Sequence, residues 1–284
     1  MSDVVPADLT LREVRGPSAL GGGWRRSLDL VVLIAVNDFK KTYFGTALGY
    51  LWTVMRPLML FAVLLVVFTK VVRFGSGVPH YPVLLLFNIV IFGFFQEATS
   101  VAVSSIVGQE GIVRRTQFPR LVIPLAVVLT TMINLALNLV VVFVFILAFD
   151  ITPTWTWLLL PVVLLALAIL TTAVSMIVSS LYPSFRDIGI IWSVFVTALF
   201  YATPVLYPIE KVTSHGLRDI ILLNPIAPLL ELGRKWVIDP HTAFPAAGAG
   251  GYAQLLAPVA IYVAICLFAV WIFNREAPRI AEKL

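Results

Sequence analysis

The sequence predicts an all-α polytopic membrane protein, and two observations support this fold class. Of the 284 residues, 60% are hydrophobic, and the mean hydropathy is +0.98, which is far above that of a soluble globular chain. Several apolar stretches are also long enough to cross a bilayer as helices. They lack the alternation of polar and apolar residues found in the strands of a membrane barrel. The pattern therefore predicts a bundle of transmembrane helices.

Six apolar stretches are the candidate transmembrane helices. They lie at about residues 51–72, 83–107, 121–149, 157–181, 188–206 and 255–273. Residues 1–23 are polar, contain Gly and Pro and lack an apolar core, so we expect a flexible cytosolic tail there and no signal peptide. Residues 24–284 are predicted to form one transmembrane domain.

Residues 24–44 predict an interfacial helix before the first span. Apolar side chains recur at helical spacing, with charged residues at or near both ends, and the uninterrupted apolar run 30–36 is too short to cross a membrane. An amphipathic helix of this kind lies in the headgroup region with its cations toward phosphate. The alternative is a short buried helix of a soluble domain.

Residues 207–254 form the longest polar stretch. Within it, residues 217–223 and 226–237 have the pattern of short amphipathic helices, which are separated by Asn224-Pro225, a dipeptide that disfavours helix. Neither helix is long enough to cross. We predict a pair of re-entrant helices over 217–237, between spans five and six, which requires that protein covers their backbone.

The stretch Gly108–Arg120 is a basic island between spans two and three. It carries Glu110, Arg114, Arg115 and Arg120 in a chain with only 12% charged residues. Lys and Arg are concentrated on the side that holds this island and both termini, so that side is predicted to be cytosolic, and residues 207–254 extracytosolic. The island is either a loop that fixes orientation or a helix that binds a soluble partner.

Polar residues inside the predicted spans point to interior contacts. Glu97 lies within span two, where a charged group should face protein or water rather than lipid. Its role is either helix packing or part of a transport path. Asn134 and Asn138 are four residues apart and share one helix face, which favours interhelical hydrogen bonds.

Motifs for catalysis and metal binding are missing from the sequence. There is no P-loop for ATP hydrolysis, no H-E-x-x-H and no G-x-S-x-G motif. His80, His215 and His241 are far apart, and Cys266 is the single cysteine. No basic stripe with interleaved aromatics suggests nucleic-acid binding. We therefore predict no catalytic residues, no metal and no cofactor in this chain, which fits one part of a larger complex.

Three motifs together resemble a known family. The first consists of residues 38–44, followed by 48–52 and Arg56-Pro57. The second is Phe118-Pro119-Arg120, which follows a short basic helix. The third is Asn224-Pro225, which precedes residues 226–236. Their order and membrane side resemble the membrane subunit of type 2 ABC exporters, which move O-antigen, capsular and teichoic-acid polymers on lipid carriers. The resemblance covers nearly all of the chain from Trp24 onward.

The resemblance implies the partners and the substrate. The chain would be a homodimer bound to two copies of a cytosolic ATPase, which would hold ATP and Mg²⁺, in the cytoplasmic membrane of a bacterium. The substrate would be a polysaccharide on an undecaprenyl- or decaprenyl-pyrophosphate carrier. Spans rich in Ala, Val and Leu, together with the long polar N-terminus, favour a high-GC bacterial source and hence a cell-wall galactan.

The resemblance also implies three sets of site residues. The contacts with the ATPase would be Glu110, Ile112, Arg114, Arg115, Phe118 and Arg120 of a coupling helix over 108–120, with Tyr182, Arg186 and Asp187 as a second contact. The entrance for the lipid pyrophosphate would include Arg25, Arg26, Lys40, Lys41, Leu48, Gly49 and Arg56. The polysaccharide channel would include Phe92, Phe94, Phe95, Glu97, Trp192, Phe195 and Tyr201. Cations suit a compact multivalent anion, and aromatic faces suit sugar rings. Each aromatic residue alone can equally serve packing or face lipid.

Two other functions are compatible with the residues. An ion- or proton-coupled carrier would use Glu97 as its ionisable group. A membrane-bound enzyme acting on glycans or lipids would need loop carboxylates, for which Glu110 and Asp187 are the candidates.

Overall fold

The computed structural model describes residues 24–43, 49–73, 78–111, 119–240 and 252–283, and these residues form helices joined by turns, with no strand among them. The helices in chain order are α1 (Trp24–Tyr43), α2 (Gly49–Val66), α3 (Tyr81–Gly108), α4 (Val122–Ala148), α5 (Leu160–Leu181), α6 (Ile188–Ala202), α7 (His215–Leu223), α8 (Ile226–Val237) and α9 (Tyr252–Lys283). A π-helical turn, Val67–Val71, extends α2, and a 3₁₀ turn, Trp155–Leu159, precedes α5.

Five of the described helices are long and apolar enough to cross a membrane. They are Leu51–Val71, Tyr81–Gly108, Val122–Ala148, Trp155–Leu181 and Leu255–Glu276. The prediction of an all-α membrane protein with several apolar spans is confirmed. The predicted fifth span, 188–206, corresponds to α6, a shorter apolar helix of 15 residues.

The last two predicted spans end at other residues in the structure than the sequence predicts. Helix α6 stops at Ala202, because Thr203 precedes Pro204 and adopts an extended conformation. Helix α9 does not end with the apolar run at Phe273 but continues through the charged residues to Lys283. Those residues include Ala, Glu, Arg and Lys, which favour helix.

Helix α3 is the centre of the bundle. It packs against α2, α4, α5, α6 and α8. Most of its side chains from Tyr81 to Phe95 are buried, with Leu85, Phe87 and Phe92 fully buried, whereas Ser100, Val101 and Ser104 near its other end are exposed. A helix that is apolar around its whole circumference is expected in the interior.

Polar side chains of α3 bind the irregular backbone that follows α6. The Asn88 side-chain amide donates hydrogen bonds to the carbonyls of Pro204 and Val205, each at 3.2 Å. The Tyr81 hydroxyl donates to the Leu206 carbonyl at 2.8 Å. Backbone outside a helix is tolerated in a membrane protein only where protein or water satisfies it. These bonds therefore allow the chain to leave the helical conformation at this point.

Asn224 connects the same irregular segment to the two short helices. Its side-chain amide donates to the Thr203 hydroxyl at 2.7 Å, and its Oδ1 accepts a hydrogen bond from the Ile226 backbone N–H at 3.1 Å. The second bond satisfies a free N–H at the start of α8. The Asn224-Pro225 break thus ties the start of α8 to the end of α6.

We expect Tyr81→Phe to lower the stability of the protein in detergent. The ring remains packed, but the Leu206 carbonyl loses its donor, a loss of about 1 kcal/mol. The measurement is the apparent melting temperature of the purified protein, with Tyr201→Phe as the matched control, because the Tyr201 side chain is exposed. Equal melting temperatures for Tyr81→Phe and the control would contradict the assigned role of this bond.

Candidate functional site

A pocket with several polar side chains in its wall, the polar pocket, lies between α2, α3, α4 and α6. Its volume is about 480 Å³, within the roughly 300–1,000 Å³ range of small-molecule sites. Its polar lining includes Arg56, Gln96, Glu97, Ser100 and Asn138. The bundle therefore contains a concave surface that offers both charges and amide groups.

Glu97 is held in the polar pocket by α4. The Asn134 side-chain amide donates a hydrogen bond to Glu97 Oε1 at 2.7 Å. The predicted interhelical role of Asn134 is confirmed. Asn138 instead donates to the Asn134 carbonyl of its own helix at 2.9 Å and also lines the pocket. Glu97 therefore has a fixed position while it faces the cavity.

The predicted channel aromatics on α3 occupy two environments. Phe92 and Phe95 are packed in the core of the chain, with exposed fractions of 0% and 2%. Phe94 is also largely buried, but it contributes to the wall of the polar pocket. In this conformation Phe92 and Phe95 are packing residues within the subunit.

The aromatic residues of α6 pack beside those of α3 and extend to the surface of the chain. The Trp192 ring lies 6.4 Å from Phe95 and 5.3 Å from Phe195, measured between ring centroids. The Trp192 indole N–H donates to the Thr99 hydroxyl at 3.2 Å. Phe195 and Tyr201 are exposed on α6. Only these two of the predicted channel aromatics present a large surface outside the chain.

Helix α1 rests on α4 near its start. Val31 and Ala35 are buried against Val122 and Ala126. The Thr130 hydroxyl also donates to the Ala35 carbonyl at 3.2 Å. A neighbouring face of α1 exposes apolar side chains, namely Leu28, Val32, Leu33 and Val36. Helix α1 therefore has one protein-facing stripe beside an exposed apolar stripe.

The predicted entrance residues are spread over α1 and α2. Arg25, Lys40 and Lys41 are exposed on α1, and Lys41 lies 3.9 Å from Asp38. The structure places Arg26 on α1 and a buried Gly49 at the start of α2, and Leu48 lies outside the described residues. Among the members of this set whose side chains the structure describes, only Arg56 lines the polar pocket.

Most of the predicted coupling helix cannot be compared with the structure. Ile112, Arg114, Arg115 and Phe118 lie outside the described residues. Glu110 follows α3 in a helical conformation, and Arg120 lies in the turn that leads into α4.

The predicted second contact is a compact turn between α5 and α6. The Arg186 guanidinium lies 5.2 Å from the centroid of the Tyr182 ring. Asp187 is exposed, and the Phe185 side chain is 63% exposed. A Cβ added to Gly189 would lie 3.3 Å from the Tyr182 ring, so a larger residue there would require the ring to move by a few tenths of an ångström.

A second polar cluster fixes α8, and sequence reasoning missed it. Arg234 donates to Glu210 Oε2 at 2.8 Å and to Glu231 Oε2 at 3.3 Å, and we call these three residues the arginine clamp. Arg234 and Glu231 are 6% and 5% exposed. Their spacing of three residues on one helix was the available signal. The distant Glu210 gave no such signal.

Burial changes the ionisation of the arginine clamp. It raises the pKa of the Glu231 carboxyl from 4.5 to about 7, although the Arg234 guanidinium acts in the opposite direction.

Within the described ranges, no group of three or more His, Cys, Asp or Glu side chains comes together as a metal site would require.

The fold and the polar pocket define a membrane-embedded protein with a ligand-sized site inside its helical bundle. The family model of the ABC-2 type transporter matches residues 29–237, more than half of the chain, so the chain belongs to this family. The resemblance drawn from the sequence is confirmed. Members of the family are membrane permease subunits of ABC exporters, and the chain is a permease rather than an ATPase.

Individual relatives cover almost the whole chain. It is 31% identical to the O-antigen export system permease protein RfbA of Myxococcus xanthus, over 90% of this chain and 95% of that protein. The identity and both covered shares are the same for an RfbA of Klebsiella pneumoniae. The polysialic acid transport protein KpsM of Escherichia coli is 22% identical over 71% of this chain and 78% of its own length.

We expect the stability of the protein to fall as the pH rises from about 4.5 to about 7. Folded Glu231 keeps its proton in this window, whereas the unfolded carboxyl has lost it, so raising the pH favours unfolding. The Glu231 contribution to this fall is at most about 3 kcal/mol. The test compares apparent melting temperatures at pH 5 and pH 8 for the wild type, Glu231→Gln and the more exposed Glu210→Gln. A pH dependence unchanged by Glu231→Gln would contradict the assignment.

Proposed function

We propose that this chain is the permease of an ATP-driven exporter that moves a lipid-linked polysaccharide across the cytoplasmic membrane of a bacterium. The observation that carries the proposal is the similarity to O-antigen export permeases over 90% of the chain. The carrier would be a polyprenyl pyrophosphate. Cell-wall galactan is the proposed polymer.

The proposed topology has six crossings, with α6 as the fifth and both termini in the cytosol. Helices α7 and α8 then form the extracytosolic re-entrant pair. The bonds from Asn224 to Thr203 and within the arginine clamp support this, because they satisfy polar groups where the chain turns back.

The proposed assembly is a homodimer with two copies of a separate ATPase, which would bind ATP and Mg²⁺. Residues 108–120 would transmit nucleotide-driven closure to α3 and α4. The turn at Tyr182, Arg186 and Asp187 would add a second contact, which the exposed side chains of Arg186 and Asp187 support.

The lipid pyrophosphate would enter beside α1, whose exposed cations Arg25, Lys40 and Lys41 suit an anionic headgroup. The polymer would then pass along the exposed faces of α2 and α6, where Phe195 and Tyr201 offer aromatic surfaces. Phe92 packs against Phe95, and Phe95 packs against Trp192, so these buried rings would hold the α6 surface in place.

Membership in an ABC family favours ATP as the energy source over the alternative of a carrier coupled to ions or protons through Glu97. The two functions differ in one measurable respect. Export in inverted vesicles with the ATPase present should require ATP and persist when an uncoupler removes the proton gradient. Export that stops with the uncoupler while ATP remains would favour the carrier.

We expect Arg114→Glu combined with Arg115→Glu to prevent copurification of the ATPase, because the substitution reverses the charge of the proposed coupling helix. Polymer export by cells should fall to the level of a strain without the permease. The measurements are pull-down of the ATPase and surface polymer by immunoblot.

The matched control is Arg12→Glu combined with Arg15→Glu, which changes the net charge equally on the same predicted side. A reporter fusion at the C-terminus checks that orientation is unchanged, since cytosolic cations also set topology. Normal assembly and export of the Arg114 and Arg115 variant in the native orientation would show that the coupling role is wrong.

A further inference from the structure

The polar pocket contains hydrogen-bonding groups that the described residues leave without partners. The Arg56 guanidinium and the Gln96 amide have no hydrogen bond or ion pair there, and Glu97 uses only Oε1, toward Asn134. The buried Thr53 hydroxyl, also in the pocket wall, has no hydrogen-bond partner among the described residues. Of these unpaired groups, the Thr53 hydroxyl is buried, and an unpaired buried hydroxyl is costly, so a polar ligand or water in the pocket would stabilise it. Arg56 is exposed and Gln96 is half-buried, and both line the cavity.

The arrangement of these groups selects the chemistry of the ligand. Arg56 and Glu97 contribute opposite charges, so the pocket has no net preference for an anion or a cation. Glu97 offers an acceptor, Arg56 offers donors, and Gln96 offers both. A hydroxyl group is donor and acceptor at once, so a ligand with several hydroxyls can use all of these groups.

The apolar wall completes the match to a sugar. Phe94 and Phe200 line the same pocket, and aromatic surfaces suit the C–H faces of a pyranose or furanose ring. The cavity of about 480 Å³ is large enough for a small polar ligand of one or two rings.

We propose that the polar pocket is a saccharide subsite in which Arg56, Gln96, Glu97 and Asn138 bind the hydroxyl groups of one or two sugar units. The proposal rests on the polysaccharide export proposed above. Asn134 is a positioning residue, because it orients the Glu97 carboxylate through the 2.7 Å bond. The pocket would then contribute to the choice of polymer, whereas the exposed aromatics of α6 would tolerate many sugars.

The experiment uses the permease–ATPase complex in nanodiscs with a single reporter cysteine. Ser100 lines the pocket and is exposed, so Ser100→Cys in a Cys266→Ser background reports access to the pocket through its rate of reaction with a small thiol reagent. The probes are galactose, glucose, mannose and rhamnose, with inorganic pyrophosphate as the anionic comparison. Thr42→Cys, exposed on α1, is the control reporter.

We expect at least one sugar to slow labelling of Ser100→Cys by up to about tenfold near saturation, and to leave Thr42→Cys unaffected. Glu97→Gln and Asn138→Ala should each raise the sugar concentration required by about threefold to tenfold, as expected for the loss of one hydrogen bond. Asn138→Ala is the safer variant, since the side chain bonds only to its own helix. In cells, Asn138→Ala should reduce surface polymer while the ATPase still copurifies.

Protection by pyrophosphate without protection by any sugar would overturn the proposal in favour of an anion site. Absence of protection by every probe, combined with normal export by Asn138→Ala, would overturn it as well. In both cases the wild type can still export polymer with its ATPase, so the proposed function stands. Loss of the proposed function would appear differently, as a wild-type chain that neither binds an ATPase nor restores surface polymer.

Discussion

The burial of α3 is the constraint on which the rest of the structure depends. The buried part of this helix needs protein partners for its polar side chains inside a membrane, because lipid does not form hydrogen bonds with them. Tyr81, Asn88 and Glu97 meet this requirement by binding three different parts of the chain. These bonds fix the segment after α6 and the face of α4. The same helix that fills the core therefore also positions the polar pocket and the irregular backbone on the extracytosolic side of the proposed topology.

The polar pocket and the family membership both fit a protein that binds a ligand and moves it. A permease has no chemical step to perform, so its site must bind a ligand without holding it permanently. In the proposed subsite, fixed side chains such as Glu97 would give selectivity, while the exposed face of α6 would offer a less specific surface. If the proposed dimer forms, these two surfaces act in succession on one polymer.

Bilayer thickness made most of the fold predictable, because it imposes a minimum length on apolar runs. The end of α6 was missed because Thr203-Pro204 lies inside an apolar run that hydropathy treats as continuous. For the site, Glu97 and Asn134 were noticed separately, but their pairing depends on the rotation and depth of two helices. Phe92 and Phe94 could not be assigned to different sides, since α3 is apolar around its whole circumference. The arginine clamp joins residues more than twenty positions apart, which no local pattern reveals.

The shortness of α6 has a consequence for the surrounding lipid. Its 15 residues extend about 22 Å, whereas the hydrocarbon layer is about 30 Å thick. A crossing at α6 therefore creates a hydrophobic mismatch, which lipids relieve by compressing locally. The Asn224 bond to Thr203 holds α8 beside this gap, so part of the missing length is supplied by protein. If α6 crosses as proposed, the acyl-chain length of the host membrane becomes a physical variable of export, because thicker bilayers increase the free energy required to accommodate α6.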